Sequence, residues 1–303
     1  GGVCGRRCPF CTINVMKRYN PDGSEAKPGM MKWSTLVKLM TEFGEWGQAY
    51  GCSAYQLGEP LDYVVRDEQG NRKDIADLVD LAKKTGRFKI VNVSTHGDIP
   101  AERFNRLLEC DLDDLIISID GVTAETYSAN RPATSGRDEG VFERTIGRVR
   151  AFLAKKAESG EPKPFVRMQI ISKENTRDEV LPFIREWITV PGVDDCFLKN
   201  LDSMRPWLGN KVVSDEEDAI KAEKTAHAVC QHIFAVASVV YTGAANACCH
   251  DAFTELTDGT NVATASFREW WHGKFMADLR QAHISGNYPA VCAPCREKDT
   301  WLG

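Results

Sequence analysis

The sequence predicts an α/β fold: a parallel sheet curling toward a barrel, helices packed outside it, and a smaller second domain at the C-terminal end. Three observations predict it. Short β-branched or apolar runs alternate with amphipathic stretches over roughly the first 200 residues. Several runs end in polar residues, as in "STHG" and "SIDG", which sets those residues on the C-terminal rim where barrel-like α/β proteins build their sites. After residue 205 the alternation stops, and five of the eleven cysteines follow.

The strands are expected at 54–57 (AYQL), 88–95 (FKIVNVST), 115–120 (LIISID), 165–172 (FVRMQIIS) and 196–201 (CFLKNL). Between and before them, apolar residues at helical spacing mark helices over Trp33 to Trp46, Ile75 to Leu81, Phe104 to Leu108, Val141 to Leu153 and Val180 to Ile188. A boundary is expected near 205–212, dividing a domain over 1–207 from one over 208–303. The second opens on an acidic helix start, SDEEDAIKAEKTAHAV, and runs through a β-rich stretch to Gly259. It then enters a helix whose Phe267, Trp271, Phe275 and Leu279 share one core-facing side.

Composition narrows the function. The chain has 303 residues, 43% hydrophobic and 27% charged, and a net charge of −5, which gives no electrostatic footprint for nucleic acid or an anionic membrane. No apolar run approaches bilayer length and no signal-peptide pattern opens the chain, so a cytoplasmic protein is expected. The odd cysteine count and a chain long enough to bury its own core argue against a disulfide framework and for metal or redox chemistry.

The thiols fall into two groups. Cys4, Cys8 and Cys11 are spaced C-x3-C-x2-C on one loop; three thiolates so close can hold three irons of a four-iron cubane and leave the fourth open to chelate a substrate or cofactor. Structural zinc wants four ligands, and no fourth stands near Cys11. At the other end lie Cys230, the doublet Cys248-Cys249, and the C-x2-C pair Cys292 and Cys295. Cys52, Cys110 and Cys196 sit in or beside core elements and read as small hydrophobes.

The C-x3-C-x2-C loop with Phe10 before its last cysteine resembles the radical S-adenosylmethionine (SAM) enzymes. Gly58-Glu59-Pro60 is similar to the family's GGEP segment, with Leu57 in place of the first glycine; there the resemblance implies contact with the SAM amino group. Ser94 and His96 in "STHG", and Ser118 and Asp120 in "ISIDG", resemble the strand ends that line SAM's ribose and methionine parts. Arg131 stands where relatives place an arginine near the SAM carboxylate, and Gln169 joins the cofactor-binding set. Two departures accompany the likeness: His96 replaces a common asparagine, and only three residues precede Cys4 where relatives have a strand.

Cys230, twelve residues, Gly243, four residues and Cys248 resemble the opening of the twitch and SPASM domains of the same superfamily. With Cys292 and Cys295 the resemblance implies a four-thiolate auxiliary [4Fe-4S] cluster, a four-cysteine zinc site being the alternative. The whole resemblance implies a partial (β/α)6 barrel of the radical SAM type with a small C-terminal iron–sulfur domain. It implies two [4Fe-4S] clusters, SAM, a reducing partner such as flavodoxin or ferredoxin, and hydrogen-atom abstraction by a 5′-deoxyadenosyl radical.

Cys249 is left over once Cys248 is counted as a ligand. It is expected to be a structural thiol, an alternative ligand, or a thiol facing the active site. If it returns a hydrogen atom to the substrate radical, the outcome is epimerisation; if the auxiliary cluster takes an electron instead, it is dehydrogenation. The substrate is expected to be a small carbohydrate-like metabolite, aminoglycoside or cyclitol, with peptide modification and a non-enzymatic iron–sulfur carrier as alternatives.

Overall fold

A computed structural model describes residues 2–14, 24–47, 49–200, 229–251, 253–293 and 295. The expected boundary at 205–212, and the acidic helix start apart from Val229, lie outside the described residues.

Five strands form one parallel sheet: β1 (Gly51–Ser53), β4 (Ile90–Thr95), β5 (Asp114–Ser118), β6 (Phe165–Ser172) and β7 (Asp195–Asn200), adjacent in that order. The resemblance implied six strands; the described residues contain five of them. β2 (Val64–Arg66) and β3 (Arg72–Asp74) pair as an antiparallel hairpin beside the sheet. The parallel order follows from the helices between strands: α1 (Trp33–Trp46) precedes β1, and α2 (Ile75–Lys84), α3 (Ala101–Asn105), α4 (Ala124–Asn130), α5 (Val141–Ser159) and α6 (Val180–Trp187) return the chain to the same end.

The sheet has two unlike faces because side chains alternate along each strand. Val91, Val93, Leu115, Ile117, Val166, Met168 and Ile170 are fully buried under the helices. The register aligns the opposite face as Ser53 with Asn92 and Asp114, Ser94 with Ile116 and Arg167, and Ser118 with Gln169 and Phe197. A polar inner wall is the result.

Local chemistry sets the helix ends. Asp74 and Asp77 form a capping box that opens α2, while Gly47, in the left-handed region at φ 80°, closes α1. At Gly121 the chain turns so tightly toward α4 that a Cβ would stand 2.5 Å from the Tyr127 backbone nitrogen. No other residue fits there.

The expected strand at 54–57 is corrected to 51–53. Tyr55 and Gln56 belong to the loop after β1, where Gln56 Nε2 donates to the Cys249 carbonyl at 3.1 Å rather than to a ladder. The single aromatic-faced helix is also corrected. It is two helices, α8 (Phe267–His272) and α9 (Lys274–Ile284), separated by the extended Gly273, whose absent Cβ would stand 2.8 Å from the Glu269 carbonyl. The break changes the register, so Trp270 and Met276 are buried in place of Trp271 and Phe275. Of the expected β-rich stretch, the two-residue strands β8 (Ser238–Val239) and β9 (Ala245–Asn246) are found, after the short helix α7 (His232–Ala235).

The C-terminal segment packs on α1. Phe267 lies 5.3 Å from Phe43 and 6.3 Å from Trp46 between ring centroids. Glu42 receives hydrogen bonds from the Phe267 and Arg268 backbone N–H groups and from the Ser266 hydroxyl, capping α8 from outside its own chain segment.

Candidate active site at the strand ends

The loop carrying Cys4, Cys8 and Cys11 lies over the C-terminal rim and is tied down mainly by backbone. Arg7 N–H donates to the Pro132 carbonyl at 2.8 Å, Thr134 N–H to that of Gly5 at 3.0 Å, and Glu59 N–H to that of Val3 at 2.8 Å. Arg6, 3% exposed, turns inward. It ion-pairs with Asp98 and lies over the Tyr127 ring at 5.8 Å. Asp98 also receives Arg144 at 3.0 Å and Arg148 at 2.6 Å, so three arginines hold one carboxylate under the loop.

The three thiols are neighbours. Burial pushes Cys4 up to about 12, with Glu59, Cys8 and Cys11 adding to the shift. Burial raises Cys8 as well, opposed by Arg131. Phe10 lies beneath the Lys173 ammonium at 5.3 Å, and Lys173 Nζ donates to Asn130 Oδ1 at 2.7 Å.

Glu59 is turned into the protein. Oε1 accepts from Leu61 N–H at 3.0 Å and Thr95 Oγ1 at 2.8 Å, and Oε2 accepts from His96 N–H at 3.0 Å. Its carboxylate thus accepts three hydrogen bonds from the strand end and the turn that follows it. Burial raises its pKa, and these hydrogen bonds partly offset that. Gly58, at φ 88°, and the buried Pro60 shape the turn around it.

His96 Nδ1 accepts from Asp98 N–H at 3.2 Å, which puts the ring proton on Nε2, 3.3 Å from Glu59 Oε2. Burial, then Arg131 and Arg6, push His96 down to about 3, so the ring is neutral. The neutral ring packs beside Glu59 with Nε2 making no hydrogen bond, and the His96 backbone N–H is what holds the carboxylate.

Asp120 is fully buried, accepts from Ile171 N–H at 2.9 Å and faces Arg131 Nη2 at 2.6 Å. Arg131 Nε is buried without a hydrogen-bond partner. Such a donor beside the thiol loop suits an anionic ligand. Gln169 Nε2 donates to Ser118 Oγ at 3.0 Å, both groups buried, and Ser94 lies one strand away on the same inner face. Thus Glu59, Ser94, His96, Ser118, Asp120, Arg131 and Gln169 converge on one end of the sheet.

At the C-terminal end, Cys230, Cys248, Cys292 and Cys295 come together from three separate segments. Burial raises Cys292, with Cys248, Cys295 and Cys230 adding to it. Burial likewise raises Cys230, against hydrogen bonds from the His232 and Ile233 N–H groups. A single tetrahedral ion with bonds near 2.3 Å would draw its sulfurs to about 3.8 Å from each other. Among the described residues, the group of three or more such donors lying within 4.8 Å of one another is His232, Cys249 and His250, and neither thiol set is that tight. Three thiols with an open position suit a four-iron cluster, and four thiols suit either a four-iron cluster or a structural zinc ion.

The Cys249 thiol hydrogen-bonds with the Cys248 thiol, so the doublet stays together. The Cys249 carbonyl is held by Gln56, two residues before Gly58, and its thiol is felt by Tyr55 on the inner wall. Cys248 and Cys295 both act on Cys230 and on Cys292.

Sequence reasoning missed Arg6, Asp98, Tyr55, Arg167, His232 and His250. Arg167 forms a two-point ion pair with Asp114, Nε to Oδ1 at 2.8 Å, on the inner wall. Its signal was available, because Arg167 and Gln169 sit two apart in a strand whose alternate residues are apolar.

A parallel α/β partial barrel with a three-thiol loop and a convergent polar rim defines an enzyme class that binds a cofactor at an open-iron cluster. The family model described as the radical SAM superfamily matches residues 1–152, and the chain belongs to that superfamily. The fold is similar to that of anSMEcpe solved with bound AdoMet, at 13% identity and a TM-score of 0.58, covering 99% of this chain and 89% of that one. It is also similar to Streptococcus suis SuiB bound to its precursor peptide SuiA, at 10% identity and a TM-score of 0.63, covering 92% of this chain and 65% of that one. Both are SPASM-domain radical SAM enzymes. A search of curated proteins found no match. No helix among the described residues is long and apolar enough to cross a membrane.

Proposed function

We propose that this radical SAM enzyme epimerises a carbohydrate-like metabolite of the aminoglycoside or cyclitol type, with Cys249 giving a hydrogen atom to the substrate radical and the resulting thiyl radical returned to a thiol by a second electron from the reducing partner and a proton from water. The observation that carries it is a fifth thiol at the C-terminal set, Cys249, whose backbone is tied to the strand-end rim through Gln56. Four of the five thiols suffice for a cluster, and Gln56 Nε2 donates to the Cys249 carbonyl at 3.1 Å while the Cys249 thiol lies against Cys248 and 4.0 Å from His232 Nδ1.

In this reading residues 1–207 form the SAM domain and 208–303 a twitch-like domain whose four thiolates hold an auxiliary [4Fe-4S] cluster. Cys4, Cys8 and Cys11 hold the first cluster. When bound, that cluster and SAM, with an electron from a flavodoxin or ferredoxin, supply the 5′-deoxyadenosyl radical. Arg131 receives the SAM carboxylate through its unpaired Nε. Phe10, Gly58, Pro60, Ser94, Ser118, Asp120 and Gln169 shape the cradle around the cofactor, and Glu59 and His96 stiffen it from beneath. The polar wall of Ser53, Asn92, Asp114 and Arg167 favours a hydroxyl-rich substrate over an apolar one.

Product made in deuterium oxide should carry one deuterium at the inverted carbon, because a thiol hydrogen exchanges with water. Cys249→Ala should retain 5′-deoxyadenosine formation and about eight irons while losing inverted product. Unlabelled, oxidised product would replace epimerisation with dehydrogenation. A second reading, peptide modification, has one observation behind it: SuiB and anSMEcpe were also solved with peptides. Substrate-dependent 5′-deoxyadenosine release with peptides, and none with cyclitols or aminoglycosides, would select it.

A further inference from the structure

Beside the four-thiol group lies a second, tighter cluster. One ligand atom from each of His232, Cys249 and His250 falls within 4.8 Å of the others, and Cys249 Sγ stands 4.0 Å from His232 Nδ1. The two imidazoles meet edge to face, 5.2 Å apart at 78°. His232 is 8% exposed and opens α7.

The loop behind Cys249 is fixed. Asn246 Nδ2 donates to the Cys248 and Asp251 carbonyls at 3.1 Å each, and Asp251 Oδ2 accepts from Leu256 N–H at 2.8 Å. A tetrahedral ion with one sulfur near 2.3 Å and two nitrogens near 2.05 Å needs sulfur-to-nitrogen separations of about 3.6 Å. Small side-chain rotations supply that contraction. One thiolate and two imidazoles suit a borderline divalent ion such as Zn2+, and three protein ligands leave a fourth position open.

We propose that His232, Cys249 and His250 form a binding site for a divalent transition-metal ion of the zinc class, directly beside the C-terminal thiol set. Occupancy holds Cys249 as a metal-bound thiolate, which has no S–H hydrogen to give. The ion would then switch off the hydrogen-donor step. That consequence rests on the epimerase reading; the site itself does not.

The test is zinc K-edge X-ray absorption on anaerobically reconstituted protein carrying its irons and one added equivalent of Zn2+. The expected shell is one sulfur near 2.3 Å with two imidazole nitrogens near 2.05 Å. A shell of three or four sulfurs, which would mean zinc in a thiol cluster, or one with no sulfur, overturns the site. The wild-type shell decides this without depending on the folding of any variant. His250→Ala should lower Zn2+ affinity by more than the roughly 10-fold that loss of an outer-shell partner costs, whereas the remote His272→Ala should not change it. Equal affinity in His250→Ala also overturns the site.

The regulatory consequence is read separately. Zn2+ should lower deuterium incorporation at the inverted carbon at least about 10-fold while 5′-deoxyadenosine still forms. Unchanged incorporation with the expected shell refutes the switch and keeps the site. If no deuterium enters even without zinc, the epimerase reading has failed and the shell still decides the metal site.

Discussion

The two thiol groups are built in opposite ways. Cys4, Cys8 and Cys11 come from one eight-residue loop clamped to the rim by backbone hydrogen bonds, with Arg6, Asp98, Asp120 and Arg131 around it. Cys230, Cys248, Cys292 and Cys295 come from three segments spread over 66 residues (230 to 295 inclusive), with imidazoles beside them. In the proposed reading the first arrangement gathers three iron ligands locally and leaves a coordination position open for chemistry. In the same reading the second closes four ligands over three chain segments, as ligands that staple a small domain do.

The comparison breaks most visibly when the groups are removed one at a time. Replacing Cys4, Cys8 and Cys11 by alanine should lower iron from about eight to about four per chain and abolish 5′-deoxyadenosine formation. Replacing Cys230, Cys248, Cys292 and Cys295 should also leave about four irons but retain some reductive SAM cleavage. A value near four in the unmodified protein, with one zinc per chain, would mean that the C-terminal set is a zinc site.

A smaller effect tests the clamp. Asp98→Asn removes the counter-charge of the buried Arg6, a loss that costs about 3 kcal/mol where a buried pair is broken. Iron at the N-terminal loop should become labile to chelators while the C-terminal cluster is retained, as iron analysis after chelation would measure. Equal loss from both sites would mean that the clamp serves the whole fold.

Glu59→Gln is next. The amide cannot match a carboxylate that accepts from Leu61 N–H, Thr95 Oγ1 and His96 N–H together. Leaving a buried donor poorly paired costs about 2 kcal/mol, so the melting temperature should fall by several degrees. SAM affinity should fall with it, through the displaced cradle. Weaker SAM binding at unchanged stability would instead mean a direct contact with the cofactor.

These contrasts also mark what the sequence made legible. Strands over 165–172 and helix Trp33–Trp46 were readable to the residue, because β-branched alternation and 3.6-residue spacing are local signals. The rim residues were readable through motif order. Invisible were partners set by tertiary approach: Asp98 against three arginines, Gln56 against Cys249, and His232 against His250. The early end of β1 and the break at Gly273 belong to the same class. In each, a contact between distant segments overrides local propensity.

The smallest effect concerns how the C-terminal segment is fastened. Glu42 on α1 accepts from Phe267 N–H at 3.1 Å, Arg268 N–H at 2.7 Å and the Ser266 hydroxyl, so a carboxylate stands at the start of α8. Burial alone would raise its pKa, but the hydrogen bonds from Ser266, Arg268 and Phe267, with the Lys38 charge, outweigh that and bring it below 4.5. Because the folded value lies under the unfolded one, the stabilisation is fully present above pH 4.5 and is lost as pH falls through the folded value. Glu42→Gln should therefore cost about 1 kcal/mol near neutral pH, discounted for the partly exposed position. The difference from wild type should shrink below the unfolded carboxyl pKa. Parallel denaturant titrations at pH 7 and at pH 3.5 to 4 measure it. A gap that persists undiminished in acid would make Glu42 a packing residue, and the aromatic contacts of Phe267 with Phe43 and Trp46 would then carry the docking of α8 alone.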